Sequence, residues 1–176
     1  MNTQKIKNAI RNIPDFPIAG IQFKDVTTLF KDPDCMQELV DGLYKMYKDK
    51  GITKVVGVES RGFIIAPLLA YRLGVGFVPI RKPGKLPAVV YEESYEKEYG
   101  VDTVQIHQDA ISLDDVVLLH DDLLATGGTM LASVRLIRKA NPKKIFVNFI
   151  VELEDLKGRE MFDSDIQVDS IVRYGI

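Results

Sequence analysis

The stretch Val116–Met130, VVLLHDDLLATGGTM, constrains the fold more than any other part of the chain. It opens as an apolar run, Val116 to Leu119, short enough for a buried parallel strand. It turns polar at Asp121 and Asp122 and passes through Ala125-Thr126-Gly127-Gly128-Thr129. From Met130 it takes up a helical period, with Val134 and Ile137 continuing the same face. The pattern predicts a strand, a turn bearing two carboxylates, a glycine-rich loop and a helix start. In open α/β sheets ligands bind beyond the carboxyl ends of the strands. Backbone N–H groups at a helix start favour anions, and glycine permits close approach and positive φ. The loop therefore suits a phosphate, and the two aspartates suit hydroxyl groups or a hydrated metal ion.

The rest of the chain repeats the strand-then-helix alternation. Asn2 or Thr3 caps a predicted short helix through Ile13, with Ile6, Ala9 and Ile10 on its apolar stripe. Ile21–Val26 alternates like a strand. Asp32-Pro33 opens a helix with Met36, Leu39, Val40, Leu43 and Tyr47 at helical spacing, and Gly51 stops it. Val55–Val58 is a buried strand leading through Glu59-Ser60-Arg61-Gly62 into a helix, Phe63–Leu73, that contains Pro67. Phe77–Ile80 is a strand, and Pro79, which lacks a ladder donor, marks either a sheet edge or a strand end. A basic turn, Arg81–Lys85, follows. Tyr91–Tyr99, YEESYEKEY, lacks a core period and reads as an exposed, mobile β-ribbon, with Thr103–His107 returning from it. Ile145–Val151 and Val168–Tyr174 are further strands, and Asp155–Phe162 a short helix despite Gly158. Such alternation predicts an α/β domain with a parallel sheet and right-handed crossovers. Its polar turns, Glu59–Gly62, Arg81–Lys85 and Asp121–Thr129, then gather along one edge.

Composition narrows the function classes. The 176 residues carry a net charge of −2, which argues against a nucleic-acid-binding surface. A single cysteine, Cys35, excludes an intrachain disulfide framework and fits a reducing compartment. The N-terminal residues lack a signal-peptide pattern, and no apolar run is long enough to span a bilayer. A cytoplasmic protein without membrane partners is expected. Gly57-x4-Gly62 has P-loop spacing, but Phe63 stands where lysine is needed. Gly74-Val75-Gly76 lacks the third glycine of a dinucleotide fingerprint. The competing reading of Asp121–Thr129 is a solvated turn capped by Thr126 or Thr129. His107 and His120 have no accompanying Cys/His cluster and read as structural, and Cys35 as core.

HDDLLATGGTM resembles the phosphoribosyl diphosphate (PRPP) motif of type I phosphoribosyltransferases, and DDLLATGGTM is similar to that of the family's adenine-specific branch. DFPIAGIQFKD, ESRGF, RKPGKLP, SYEKEYG and VELEDLKGRE extend the resemblance in order along nearly the whole chain. His120, at a usually apolar position, and Glu59, where aspartate is expected, depart from the pattern. The resemblance implies one domain, 1–176, with a doubly wound, mainly parallel sheet, an N-terminal base-binding hood (about 1–33) and a mobile lid (about 88–107). It implies Mg²⁺-dependent transfer of the phosphoribosyl group from PRPP to adenine, giving AMP and pyrophosphate, in a homodimer. Another purine base, or a non-catalytic PRPP- or purine-sensing regulator, is the alternative.

Carried over by motif, Ala125, Thr126, Gly127, Gly128 and Thr129 hold the 5′-phosphate. Asp121 and Asp122 take the ribose hydroxyls, with Mg²⁺ reached through water and no direct protein ligand. Ser60, Arg61, Arg81 and Lys85 lie at the pyrophosphate, Arg81 either within one subunit or across the dimer, and Arg61 also approaches the base. Phe23 and Leu123 sandwich adenine, and the backbone of Gln22 and Lys24 reads its edge. Glu92, Glu93, Glu96 and Glu98 are indistinguishable by residue type; the family pattern S-Y-x-x-E-Y-G selects Glu98 as the group that exchanges the ring proton. Tyr95, Glu98 and Tyr99 belong to the lid.

Overall fold

The structure, a computed structural model, describes residues 1–97 and 100–175. The chain divides into two compact units, Met1–Met46 and Tyr47–Ile176.

The first unit opens with α1 (Thr3–Ala9), capped by Asn2, whose Oδ1 accepts from the Lys5 N–H at 3.0 Å. The helix stops at Ala9 rather than reaching Ile13. Arg11–Pro14 is instead a strand, β1, paired antiparallel with β2 (Gln22–Asp25), so that Ile13 faces Phe23. The helical stripe at Ile13 was overridden by partners distant in sequence: the β2 backbone, and an Arg11–Asp25 ion pair at 2.5 Å. The Asp25 carboxylate accepts from the Thr27 hydroxyl as well as from Arg11, and these two bonds hold its pKa down at about 2. One helical turn, α2 (Thr27–Phe30), follows, and no sequence pattern announced it. In α3 (Pro33–Tyr47) the start is as predicted, with Asp32 Oδ1 accepting from the Asp34 and Cys35 N–H groups at 3.0 Å each. Cys35, Leu39 and Leu43 are buried.

The second unit contains β3 (Lys54–Val58), α4 (Gly62–Leu73), β4 (Gly76–Ile80), β5 (Val90–Lys97), β6 (Gly100–His107), β7 (Val116–Leu124), α5 (Gly128–Arg138), β8 (Lys144–Leu153) and β9 (Gln167–Tyr174). Five strands form a parallel sheet in the order β4-β3-β7-β8-β9. The strand order reverses between β3 and β7, which makes the sheet doubly wound and puts the expected ligand crevice beyond the carboxyl ends of those two strands. Val56, Leu119 and Val147 share a core with Val134 and Ile137 of α5. The other side of β3 receives α4 so closely that a Cβ on Gly57 would lie 2.9 Å from the Ala66 methyl. Each fully buried Val or Leu contributes about 1.5–3 kcal/mol, so the polar strand ends stand on a rigid support. Pro79 lies on the edge strand, and α4 runs unbroken through Pro67. Among the described residues no helix is long and apolar enough to cross a membrane.

β5 and β6 do form an antiparallel ribbon, but it is not a bare excursion: Tyr91 and Tyr95 pack on the core, and Val104 and Ile106 are buried. Glu93, between the two tyrosines, pairs with Lys139 at 2.8 Å, which hides the alternation of that face from a hydropathy reading. The Asp155–Phe162 helix is replaced by two 3-10 turns, Glu154–Leu156 and Gly158–Met161, separated by Lys157 in a left-handed conformation at φ 52°. Lastly, β7 does not end at Leu119 but continues to Leu124.

Candidate active site

The extension of β7 gives its two aspartates a fixed backbone. Asp121, Leu123 and Leu124 stay in register with Phe149, Val151 and Glu152 of β8. The carboxylates therefore project from a hydrogen-bonded strand end, not from the flexible turn that their polarity suggested. Asp122 is buried, and its Oδ2 accepts from Arg61 Nε at 2.5 Å. Arg61 stands at the start of α4 with its side chain 46% exposed, so one edge of the guanidinium is fixed while the rest faces outward. Asp121 is half-buried, and its Oδ1 accepts from the Asp122 N–H at 2.9 Å. Burial, then the neighbouring Asp122 charge, raises the Asp121 carboxyl well above the ordinary range. Gly62 permits this crowding: a Cβ there would meet the His120 carbonyl at 2.8 Å and Asp121 Oδ1 at 3.2 Å.

After Leu124 the chain turns through Ala125 and Thr126 to Gly127, which adopts φ 87° and opens α5. Among the described residues no side chain caps the helix, so neither Thr126 nor Thr129 fills the capping role that a plain solvated turn requires. The first-turn N–H groups thus suit an external anion. A cavity of about 240 Å³ is bounded by this loop together with Arg61, Asp121, Asp122, Leu123 and Phe149.

Behind the loop stands a residue that the sequence reading passed over. A Cβ on Gly158 would lie 2.1 Å from the Ala125 carbonyl oxygen, and one on Gly127 would lie 2.8 Å from that of Gly158. Backbone packs directly on backbone. Buried Glu152 accepts from Arg159 Nε at 2.9 Å and from Arg159 Nη2 at 2.5 Å, and Arg159 also donates to the Val168 carbonyl and Ser170 Oγ. This ion pair pins the turn that presents Gly158. The available signal was a glycine inside an otherwise helical segment.

The basic turn is organised by Glu59. Its Oε2 accepts from the Lys82 N–H at 2.9 Å and from Arg81 Nε at 3.2 Å. The Lys82 bond first, then Arg81, lowers the Glu59 pKa. The departure at this position thus keeps a carboxylate that anchors the turn. Arg81 also exchanges backbone hydrogen bonds with Gln105 at 2.9 and 2.8 Å. Ser60 and Lys85 are exposed on the turns after β3 and β4.

The second unit thereby brings Arg61, Asp121, Asp122, Leu123 and Ala125–Thr129 around one cavity, with Ser60, Arg81 and Lys85 on the neighbouring strand ends. Tyr95 is joined to the loop by the Thr129 hydroxyl at 2.9 Å. Gln22, Phe23 and Lys24 lie on β2 of the first unit, where half-buried Phe23 makes an edge contact with Phe16 at 5.1 Å between centroids. Glu98 and Tyr99 lie outside the described residues. His120 is wholly buried, its Nδ1 2.9 Å from Asn148 Oδ1, and burial depresses its pKa to about 4. Among the described residues no group of three or more His, Cys, Asp or Glu side chains is disposed to hold a metal ion.

Residues 25–172 match the model of the phosphoribosyl transferase domain. The chain is 65% identical over 172 residues to adenine phosphoribosyltransferase of Bacteroides thetaiotaomicron, covering 98% of each. The crystal structure of adenine phosphoribosyltransferase from Rhodothermus marinus is 44% identical with a TM-score of 0.90, covering 98% of both chains. That of the Saccharomyces cerevisiae enzyme, complexed with an imino-altritol bisphosphate and adenine, is 39% identical with a TM-score of 0.90, covering 97% of this chain and 98% of its own.

Proposed function

The chain belongs to the phosphoribosyl transferase family, and from that membership we propose that it acts as an adenine phosphoribosyltransferase, converting adenine and PRPP to AMP and pyrophosphate in purine salvage. The observation that carries this reading is the cavity in which a side-chain-uncapped helix start, two strand-end aspartates and Arg61 converge. Whole-length identity of 65% to an adenine phosphoribosyltransferase supports adenine over other bases.

In the proposed reaction the loop Ala125–Thr129 receives the 5′-phosphate on its backbone. Asp121 and Asp122 take the ribose hydroxyls; the raised Asp121 carboxyl gains from such partners. Ser60, Arg61, Arg81 and Lys85 neutralise the pyrophosphate as it departs. Phe23 and Leu123 hold adenine, with Gln22 and Lys24 reading its edge by backbone from the hood, about residues 1–33. The adenine nitrogen attacks the anomeric carbon of PRPP, the bond to pyrophosphate breaks with its electron pair leaving on oxygen, and Glu98 takes the ring proton. The lid residues Tyr95, Glu98 and Tyr99 exclude water from a ribosyl group of cationic character. Positioning supplies most of the effect, with no covalent enzyme intermediate.

Two carboxylates beside a phosphate cradle fit Mg²⁺ that arrives on the pyrophosphate and is reached through its waters, the usual way this ion is held. When bound it adds charge neutralisation at the leaving group. A homodimer is part of the reading: α4 exposes Ile64, Leu68 and Tyr71 at helical spacing, the last 86% accessible. A cytoplasmic setting fits the single, buried cysteine. The test is product analysis with PRPP, Mg²⁺ and each of adenine, hypoxanthine, guanine and xanthine. AMP from adenine is expected. Preferred use of another base, or PRPP binding with no turnover of any base, overturns the reading.

A further inference from the structure

A chain of polar contacts leads from the phosphate loop to the basic turn. Thr129 Oγ1 donates to the Tyr95 hydroxyl at 2.9 Å. The Tyr95 hydroxyl donates to Asp102 Oδ2 at 3.1 Å. The same carboxylate oxygen accepts from Lys82 Nζ, which also stands 5.8 Å from the centre of the Tyr95 ring. Tyr95 and Asp102 are opposite each other across the β5–β6 ribbon, so neither reaches its partner by chance of a free loop. Thr129 lies in the first turn of α5, and Lys82 follows Arg81 directly. The ribbon thus spans the two anion-binding halves of the site.

The contacts exceed what the ribbon needs for packing. Lys139 already fastens β5 to the far end of α5 through Glu93 and the Glu92 carbonyl, and Tyr91 packs on the core. Asp102 is held by Lys82 in a partly shielded place, with side chains 20% and 36% exposed, rather than dissolved in solvent. On the backbone side Lys82 is tied to Glu59 at 2.9 Å, so its ammonium is positioned from both ends.

We propose that Tyr95 and Asp102 are positioning residues that couple occupation of the phosphate loop to the placement of Lys82 at the basic turn. The coupling rests on the functional reading above. A hydroxyl has one proton to donate. When a 5′-phosphate enters the loop, Thr129 turns its one hydrogen bond to the phosphate, Tyr95 turns its own from Asp102 Oδ2 to Thr129 Oγ1, and Asp102 Oδ2 is left to Lys82. The Asp102–Lys82 pair thus changes with the occupation of the loop, and the placement of the cation that a pyrophosphate group meets at the basic turn is biased by the first ligand. Coupling of this kind is reciprocal: whatever ribose phosphate does for pyrophosphate, pyrophosphate does for ribose phosphate.

The test is calorimetric titration of magnesium pyrophosphate into the protein with and without saturating ribose 5-phosphate. The ratio of the two affinities is the readout, because a side chain that only supports the fold shifts both affinities and leaves their ratio unchanged. Tyr95→Phe removes the hydroxyl and keeps the ring; Asp102→Asn keeps the volume and removes the charge. The ratio is expected to be about fivefold larger in the wild type than in either variant, at the lower end of measured couplings. An unchanged ratio in either variant overturns the proposal. If the wild-type protein binds neither ligand, the functional reading itself falls, and the coupling falls with it.

Discussion

Replacing His120 with leucine tests how a buried imidazole governs acid stability. His120 is fully enclosed, its Nδ1 faces Asn148, and its Nε2 has no hydrogen-bond partner among the described residues. Burial favours the neutral ring and depresses the pKa from 6.5 to about 4, outweighing the opposing effects of Asn148 and the Asp122 charge. The unfolded chain therefore binds a proton below about pH 6.5 that the folded chain refuses until about pH 4. Stability is complete above the unfolded pKa and is lost as pH falls through this window. At about 1.4 kcal/mol per tenfold change in proton affinity, the loss from this one group comes to about 3 kcal/mol. The leucine variant removes the His120 partner of Asn148 Oδ1, a pH-independent cost of about 1–3 kcal/mol. The diagnostic quantity is accordingly the slope. Urea denaturation at a series of pH values should show wild-type stability falling more steeply with acid than that of His120→Leu, the difference between the two shifting by about 3 kcal/mol against the wild type by pH 4. Carboxylates common to both proteins cancel in the difference. Parallel curves would refute the account of His120 as a neutral, desolvated ring.

Other substitutions address the site. Gly158→Ala should force the loop backbone apart at Ala125 at a cost of about 1–3 kcal/mol, seen as weakened AMP binding and a lowered melting temperature together; unchanged AMP affinity would separate that turn from the phosphate loop. Glu98→Gln should lower turnover by about a hundredfold or more with PRPP affinity kept, as expected for loss of a proton acceptor, and an unaltered kcat would remove Glu98 from the chemistry. Glu152→Gln should destabilise the protein by about 1–3 kcal/mol, less than for a wholly buried pair, since the side chains of Arg159 and Arg173 are 33% and 50% exposed. Its check is chemical denaturation, and wild-type stability in the variant would mean that the pair does not pin the Gly158 turn.

Local chemistry was legible in the residues themselves. Asp32 before Pro33 caps a helix because its carboxylate reaches N–H groups two and three positions on, a contact within one turn. Short apolar runs followed by helical periods imply a parallel sheet, and the sheet puts its polar turns on one edge. The phosphate loop was readable for the same reason: strand, glycines and helix start are contiguous. Partners remote in the chain decided the rest. Ile13 left the helical stripe for a strand because β2 offered backbone partners and Asp25 offered a charge to Arg11. The aspartates became rigid because β8 runs alongside β7 as far as Leu124. Gly158 reaches Ala125 across the fold, and Tyr95 joins Thr129 to Asp102 across a ribbon whose alternation was masked by a paired glutamate. Propensity and spacing act over a few residues, so the strand–loop–helix units, and with them the phosphate role proposed for Ala125–Thr129, follow from contiguous residues. What holds that loop in place, and how it is connected to the basic turn, depends on which distant backbone lies beside which, and that is settled by the folded chain.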